Sequence, residues 1–194
     1  MRQTNKLLVI YNIGITLLCG FLVLTGFNRP NEDEITVKRI NIVNEDGTPA
    51  IILANQERVP DPVLEGQSYK RAIKAGGIVL YDPQGNEHGG MAVMENETAA
   101  FNAMVLDYST VDAIGMFSRE DSTGYQAFLT VNDKGKGIGQ GTNRLQLGTS
   151  NGTTALVING TDGKPRVKLE VTDRNEVSFS VLDENGNTIK QLLE

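Results

Sequence analysis

Two hydrophobic patterns divide the chain. From Leu7 to Phe27 it reads LLVIYNIGITLLCGFLVLTGF, 21 residues without a charge. Beyond Glu34 the apolar residues come in short β-branched runs that alternate with polar ones and break at Asp-Gly, Asn-Gly and Gln-Gly pairs. At 1.5 Å rise per residue the first pattern predicts a transmembrane helix roughly 30 Å long. The second predicts strands joined by tight turns, because alternation with period two places one face of a strand toward a core or a partner. No later stretch sustains a helical period.

The expected fold is all-β, a series of repeated β-hairpins preceded by one transmembrane helix. The hairpins form a meander or solenoid-like array, with a four-bladed propeller as the alternative. ITVKRINIV, NEDGTP and AIILAN make the clearest unit, turning at Asp46-Gly47, and TTALVING, TDGKP and RVKLEV repeat it at Asp162-Gly163. Glycine there supplies the positive φ that a hairpin turn demands. Looser units centre on Gly85, Gly124 and Gly186. Gly47, Gly85, Gly124 and Gly163 lie 38 or 39 residues apart, a repeat-like regularity in which one period would hold about four short strands. Segment 54–76, with two prolines and clustered charge, reads as a long loop.

The helix divides the chain into a cytoplasmic N-terminus (1–6), the span (7–27), a linker (28–34) and an extracytoplasmic β domain (35–194). Arg2 and Lys6 precede the span while Asn31, Glu32, Asp33 and Glu34 follow it, so the positive-inside bias keeps the N-terminus in the cytoplasm. A cleaved signal peptide is the competing reading, but Thr25, Gly26 and Phe27 do not resemble a cleavage site. Asn12, Thr16 and Gly20 share one helix face and form a polar, small-residue stripe suited to packing on a partner helix.

Composition then narrows the function. The whole chain carries −6, and the part beyond the span carries −8 once Arg2 and Lys6 are set aside. That surface repels phosphate backbones, so nucleic acid is not an expected partner. Cys19 lies inside the span and leaves the β domain without a disulfide. Sequons at Asn96, Asn151 and Asn159 read more simply as turn residues.

ITVKRINIVNEDGTPAIILANQERVPDP and GGIVLYDPQGNEHGGMAV carry a resemblance. The chain resembles a family of uncharacterised bacterial membrane-anchored β-repeat proteins. The likeness lies in a "VKRINIV..DGTP...I.N" opening, a "DEG.E.GG" turn and a later Asp-Tyr…Asp stretch. The counterparts here are Val37 to Asn55, Pro83 to Gly90, and Asp107-Tyr108 with Asp112, so most of residues 35–132 is covered. Gln84 departs from the pattern, where an acidic turn residue is usual. The resemblance implies a bacterial source and no particular activity.

Catalytic constellations are sparse. His88, the lone histidine, sits in a glycine-flanked turn and rules out a multi-histidine metal centre. Glu87, Asp107 and Asp112 are nominal carboxylates for general acid and base work, but their spacing singles out no pair. NEDG, DENGN and NGTDG gather oxygen ligands without completing a calcium loop. GKGIGQG, near Lys136, lacks the strand-to-helix context of a phosphate loop.

Tyr81 and Tyr108 are the candidate ligand-binding residues. No metal, cofactor or catalytic residue is expected. The expected partners are the lipid bilayer and either a membrane-protein partner or a second copy in a homo-oligomer. The expected location is the bacterial inner membrane, single-pass, with the C-terminal domain in the periplasm. The expected role is that of a non-enzymatic structural or accessory subunit of an envelope membrane complex, with a tethered glycan-binding module as the alternative.

Overall fold

A computed structural model describes residues 2–27, 33–71 and 74–193. The chain forms two compact units, Met1–Val37 and Lys38–Glu194. The first holds the helix α1, Arg2–Phe27. It is long and apolar enough to cross a membrane, with a mean hydropathy of 2.4 over Lys6–Leu24. Every side chain described in it is exposed. Thr16 Oγ1 donates to the Asn12 carbonyl at 2.8 Å, closing its polarity within the helix, and nothing lies within 4 Å of a Cβ built on Gly20. The expected linker falls largely on residues 28–32, outside the described residues.

The second unit is β throughout. Its strands are β1 (Arg39–Val43), β2 (Pro49–Ala54), β3 (Val63–Leu64), β4 (Gln67–Ser68), β5 (Gly76–Tyr81), β6 (Glu87–Glu95) and β7 (Ala99–Asp107). They continue as β8 (Asp112–Asp121), β9 (Gly124–Asp133), β10 (Thr142–Ser150), β11 (Thr153–Asn159), β12 (Pro165–Val171), β13 (Val177–Leu182) and β14 (Thr188–Leu193). Twelve of them make one antiparallel sheet in chain order, β1 and β2 followed by β5 to β14, while β3 and β4 pair as a separate two-stranded piece. β1 and β14 are the outer strands, so the hydrogen-bonded strands form one open sheet where a propeller would need separate blades.

The turn glycines sit where the repeat placed them, and the strand count per period differs. Gly47, Gly85, Gly163 and Gly186 all have positive φ, between 76° and 87°, and each donates its N–H to the carbonyl three residues earlier. A register shift follows at each of these hairpins, the signature of a turn closed by a left-handed residue and a bulge. Between Gly85 and Gly124 lie β6, β7 and β8, and between Gly124 and Gly163 lie β9, β10 and β11. Three strands fill each of these two periods, where four were expected, and put the turns that bound them at opposite ends of the strands. The period from Gly47 to Gly85 does hold four, β2 to β5, but β3 and β4 stand outside the large sheet, so its two turns share one end.

Register fixes the chemistry of each face, because residues paired across a ladder point the same way. One row passes through every strand: Ile40, Leu53, Ile78, Met91, Met104, Met116, Leu129, Leu147, Leu156, Leu169 and Phe179, with Leu193 at the twelfth position. The parallel row beginning at Ile42 and Ile51 is apolar apart from Gly89 and Lys190. We call this the ladder face. It lies open: Met116 is 49 % exposed, Leu147 47 % and Met91 44 %.

The opposite face is mixed. Ile52, Val79, Gly90, Val105, Gly115, Thr130, Gln146, Val157, Lys168 and Ser180 follow one another along its middle row. Its N-terminal end carries the core, a cluster of Ile52, Val59 and Val79 with Ala54 and Tyr81 packed against it. Val59 belongs to the 54–76 segment. That segment therefore covers part of this face and, with β3 and β4, carries a short hairpin of its own. Further along, Phe101, Phe117 and Phe128 line up with centroids 6.2 and 5.4 Å apart. The Phe117 ring edge lies 2.4 Å from where a Cβ on Gly115 would be, so glycine there lets the ring lie over the strand.

Candidate functional site

Two places on the β unit stand apart, a charged cleft and the ladder face. The cleft forms where the 54–76 segment meets the ends of β6, β7 and β8. Arg71 anchors it. Its backbone N–H donates to Asp61 Oδ1 at 3.0 Å and its Nε to the Pro60 carbonyl at 2.8 Å, which pins the segment. Its guanidinium makes a two-pronged, part-buried ion pair with Glu87, one prong from Nη1 to Oε1 at 3.1 Å.

Beside this pair, Asp107 and Asp112 face each other across the β7–β8 ladder. Loss of hydration pushes the Asp107 carboxyl up to about 7, and the negative charges of Asp112 and Glu87 push the same way while Arg71 opposes them. Asp112 is raised as well, first by desolvation, whereas its own backbone amide and its hydrogen bond with Asp107 pull it down. The shared hydrogen bond thus raises one partner and lowers the other, which assigns the proton to Asp107. Asp107 Oδ1 and Thr110 Oγ1 are buried without a hydrogen-bond partner.

Tyr108, Thr110, Ile138 and Gly139 complete the wall. Gly139 donates its N–H to the Thr110 carbonyl at 2.8 Å, so the GKGIGQG segment forms the β9–β10 connection and folds back against the β7–β8 turn. A chain of amides leads away from the cleft. Asn159 Nδ2 donates to Asn143 Oδ1, Asn143 Nδ2 to Asn132 Oδ1, and Asn132 Nδ2 to the Asp112 carbonyl, all between 2.9 and 3.1 Å.

The sequence-derived candidates separate here. Glu87 joins Asp107 and Asp112, which flank the β7–β8 turn, in one cleft, and Tyr108 borders it. Tyr81 instead packs against the core cluster, its phenol pushed up first by burial and then by Glu87. His88 lies beside the β5–β6 turn, where, against desolvation, hydrogen bonds from the Asn86 side chain and from the Asn86 and Gln84 backbone amides hold the Asp82 carboxyl below its ordinary value. Asn12, Thr16 and Gly20 are exposed on α1, with Thr16 Oγ1 bonded to the Asn12 carbonyl. Arg71 and Thr110 carried no sequence signal, since one lay in a presumed loop and the other in a turn. The sequon asparagines differ: Asn96 Oδ1 accepts Thr98 N–H at 2.9 Å within its own turn, Asn151 Oδ1 in the β10–β11 turn reaches across to Tyr125 N–H at 2.9 Å, and Asn159, expected in a turn, ends β11 and is buried.

Chemically, a carboxyl that holds its proton to about 7 exchanges it near neutrality. Among the described residues no group of three His, Cys, Asp or Glu side chains is placed to hold a metal ion. The ladder face offers a different kind of chemistry, namely contiguous apolar surface whose two central rows carry Lys190 as their one charge. Comparison with family models, curated proteins and solved structures finds no match to this chain.

Proposed function

We propose that this protein is a non-enzymatic structural or accessory subunit of a bacterial envelope membrane complex. In this reading α1 anchors it in the inner membrane and the β unit lies in the periplasm, where it acts by protein contact. The observation that carries the reading is the ladder face. A row of large apolar side chains runs from β1 to β13 and stays open to solvent at Ile40, Leu53, Met91, Met104, Met116, Leu147 and Leu169, and exposed apolar surface of that continuity marks an interaction site. The bacterial setting rests on the motif resemblance, and the orientation on Arg2 and Lys6 before the span. Isolation of the full-length protein in mild detergent tests the reading: it expects a complex larger than one chain. A lone monomer without any companion protein counts decisively against it.

A second reading, a tethered glycan-binding module, draws on the cleft, where Tyr108 stands beside Asp107, Asp112 and the unpartnered Thr110 hydroxyl. It predicts binding to envelope polysaccharide that Tyr108→Ala abolishes. Tyr81→Ala would act there only through loss of packing.

A further inference from the structure

We infer that the ladder face is covered by a second copy of this chain, packed face to face so that the two apolar rows interdigitate. The inference rests on the structural-subunit reading and names the partner.

Three observations select that occupant. The first is size. Twelve strands at about 4.8 Å spacing make the row roughly 53 Å long, and two adjacent rows span roughly 14 Å, giving about 740 Å² per copy. A standard stable interface takes about 800 Å² from each partner.

The second is chemistry. The main row carries no charge at any of its twelve positions, and the neighbouring row has only Lys190, at the outer strand β14. These two rows offer a partner almost no donors, acceptors or charges; the polar groups of this face lie in the adjoining row, where Asn102 Nδ2 donates to Ser118 Oγ at 3.0 Å and Thr149 pairs with Thr154. An identical copy complements it by symmetry, since residue i meeting residue j guarantees that j meets i. An anionic lipid surface is a poor alternative, because the chain beyond α1 carries −8.

The third is the anchor. Helices long enough to cross a membrane confine copies to one plane in one orientation, which raises their effective concentration at no cost in contacts. The sheet supports the same conclusion from the energetic side. Its described apolar core consists of Ile52, Val59, Ala75 and Val79, all toward the N-terminal end, so β7 to β14 bury little apolar surface within the single chain.

The test uses full-length chain carrying Cys19→Ser, with one new cysteine at a time. Met116 lies on β8, near the middle of the row, and Thr130 lies next to it on the opposite face. Each variant is co-expressed with a longer tagged version of itself, oxidised in intact cells and separated without reductant. Met116→Cys is expected to yield an adduct containing both versions, and Thr130→Cys none.

Adding Leu147→Asp to the Met116→Cys chain is expected to reduce that adduct at least tenfold, with an unchanged far-ultraviolet circular dichroism spectrum confirming an intact sheet. An adduct of Met116→Cys with a different protein and without the second version overturns the self-association while leaving the subunit reading standing. Equal adducts from both cysteines, the mark of random collision, overturn it too. Absence of any adduct, together with monomeric protein in detergent, overturns both.

Discussion

The two faces of the sheet are made by the same strands from alternating residues, yet they solve the problem of apolar surface in opposite ways. On the mixed face, Ile52 at 3 % and Val79 at 6 % exposure are sealed by a segment of the same chain. On the ladder face, one residue along the same strands, Leu53 is 37 % exposed and no described segment of the β unit covers it. The difference lies in the connections. Only the β2–β5 connection is long enough to fold back, and it folds over one face. The other links are tight turns, or in the case of β9–β10 a short loop engaged at the cleft. Burial here is therefore a property of loop length, while strand composition sets what remains for an outside partner.

The sharpest way to break this contrast is a charge in the ladder. Leu147→Asp is expected to abolish self-association, read as sedimentation of detergent-solubilised protein as monomer, because burying an unpaired carboxylate in an apolar interface outweighs the contacts around it. Next in size is the sealed side. Ile52→Ala should lower unfolding free energy by about 2–4 kcal/mol in urea titration, through lost burial and the cavity left behind. The same change at Leu53 should cost well under half of that in the dissociated chain.

A smaller effect belongs to the cleft. Folded Asp107 keeps its proton to about 7, whereas the ordinary value is 3.8. The folded state therefore binds more protons between those values, so this contribution is complete below about pH 4 and declines as pH rises toward 7. Partial exposure limits it to roughly 1–2 kcal/mol. Asp107→Asn should flatten that decline and stabilise the protein above pH 7, as followed by thermal melts at pH 4 to 8. The turn aspartates Asp46, Asp162 and Asp183 act in the reverse sense. Their carboxylates accept turn hydrogen bonds and are held below the usual range, so their contribution is lost only as pH falls through those lowered values. Smallest of all is Ser180→Asp on the mixed face, opposite Lys168, expected to shift stability by less than about 0.5 kcal/mol and to leave association untouched.

Local features were legible in the chain, and relations between distant residues were not. Asp46-Gly47 and Asp162-Gly163 announce their turns because few residues other than glycine accept the left-handed backbone. The uncharged run from Leu7 announces its helix by length alone. Alternation predicts strands, but an unbroken row across twelve of them depends on every turn length and every bulge, including the extra residue at Arg144 between Asn143 and Leu145. A one-residue slip at any turn would have sent the ladder residues of every later strand to the other face. The cleft was out of reach for the same reason. Glu87, Asp107 and Asp112 were visible as carboxylates, but only the return of residues 54–76 over the sheet brings Arg71 to Glu87 and withdraws water from Asp107.

The strict chain order of the sheet also governs how it is assembled and undone. Each strand of the large sheet completes its hydrogen bonds with the sheet strand that precedes it in the chain, so strands can be added in turn from the N-terminal side without waiting for residues still to arrive. Traction on the C-terminus meets that order in reverse. It peels β14 from β13, then β13 from β12, rupturing one ladder at a time at low force, in contrast to folds whose terminal strands must slide past each other all at once.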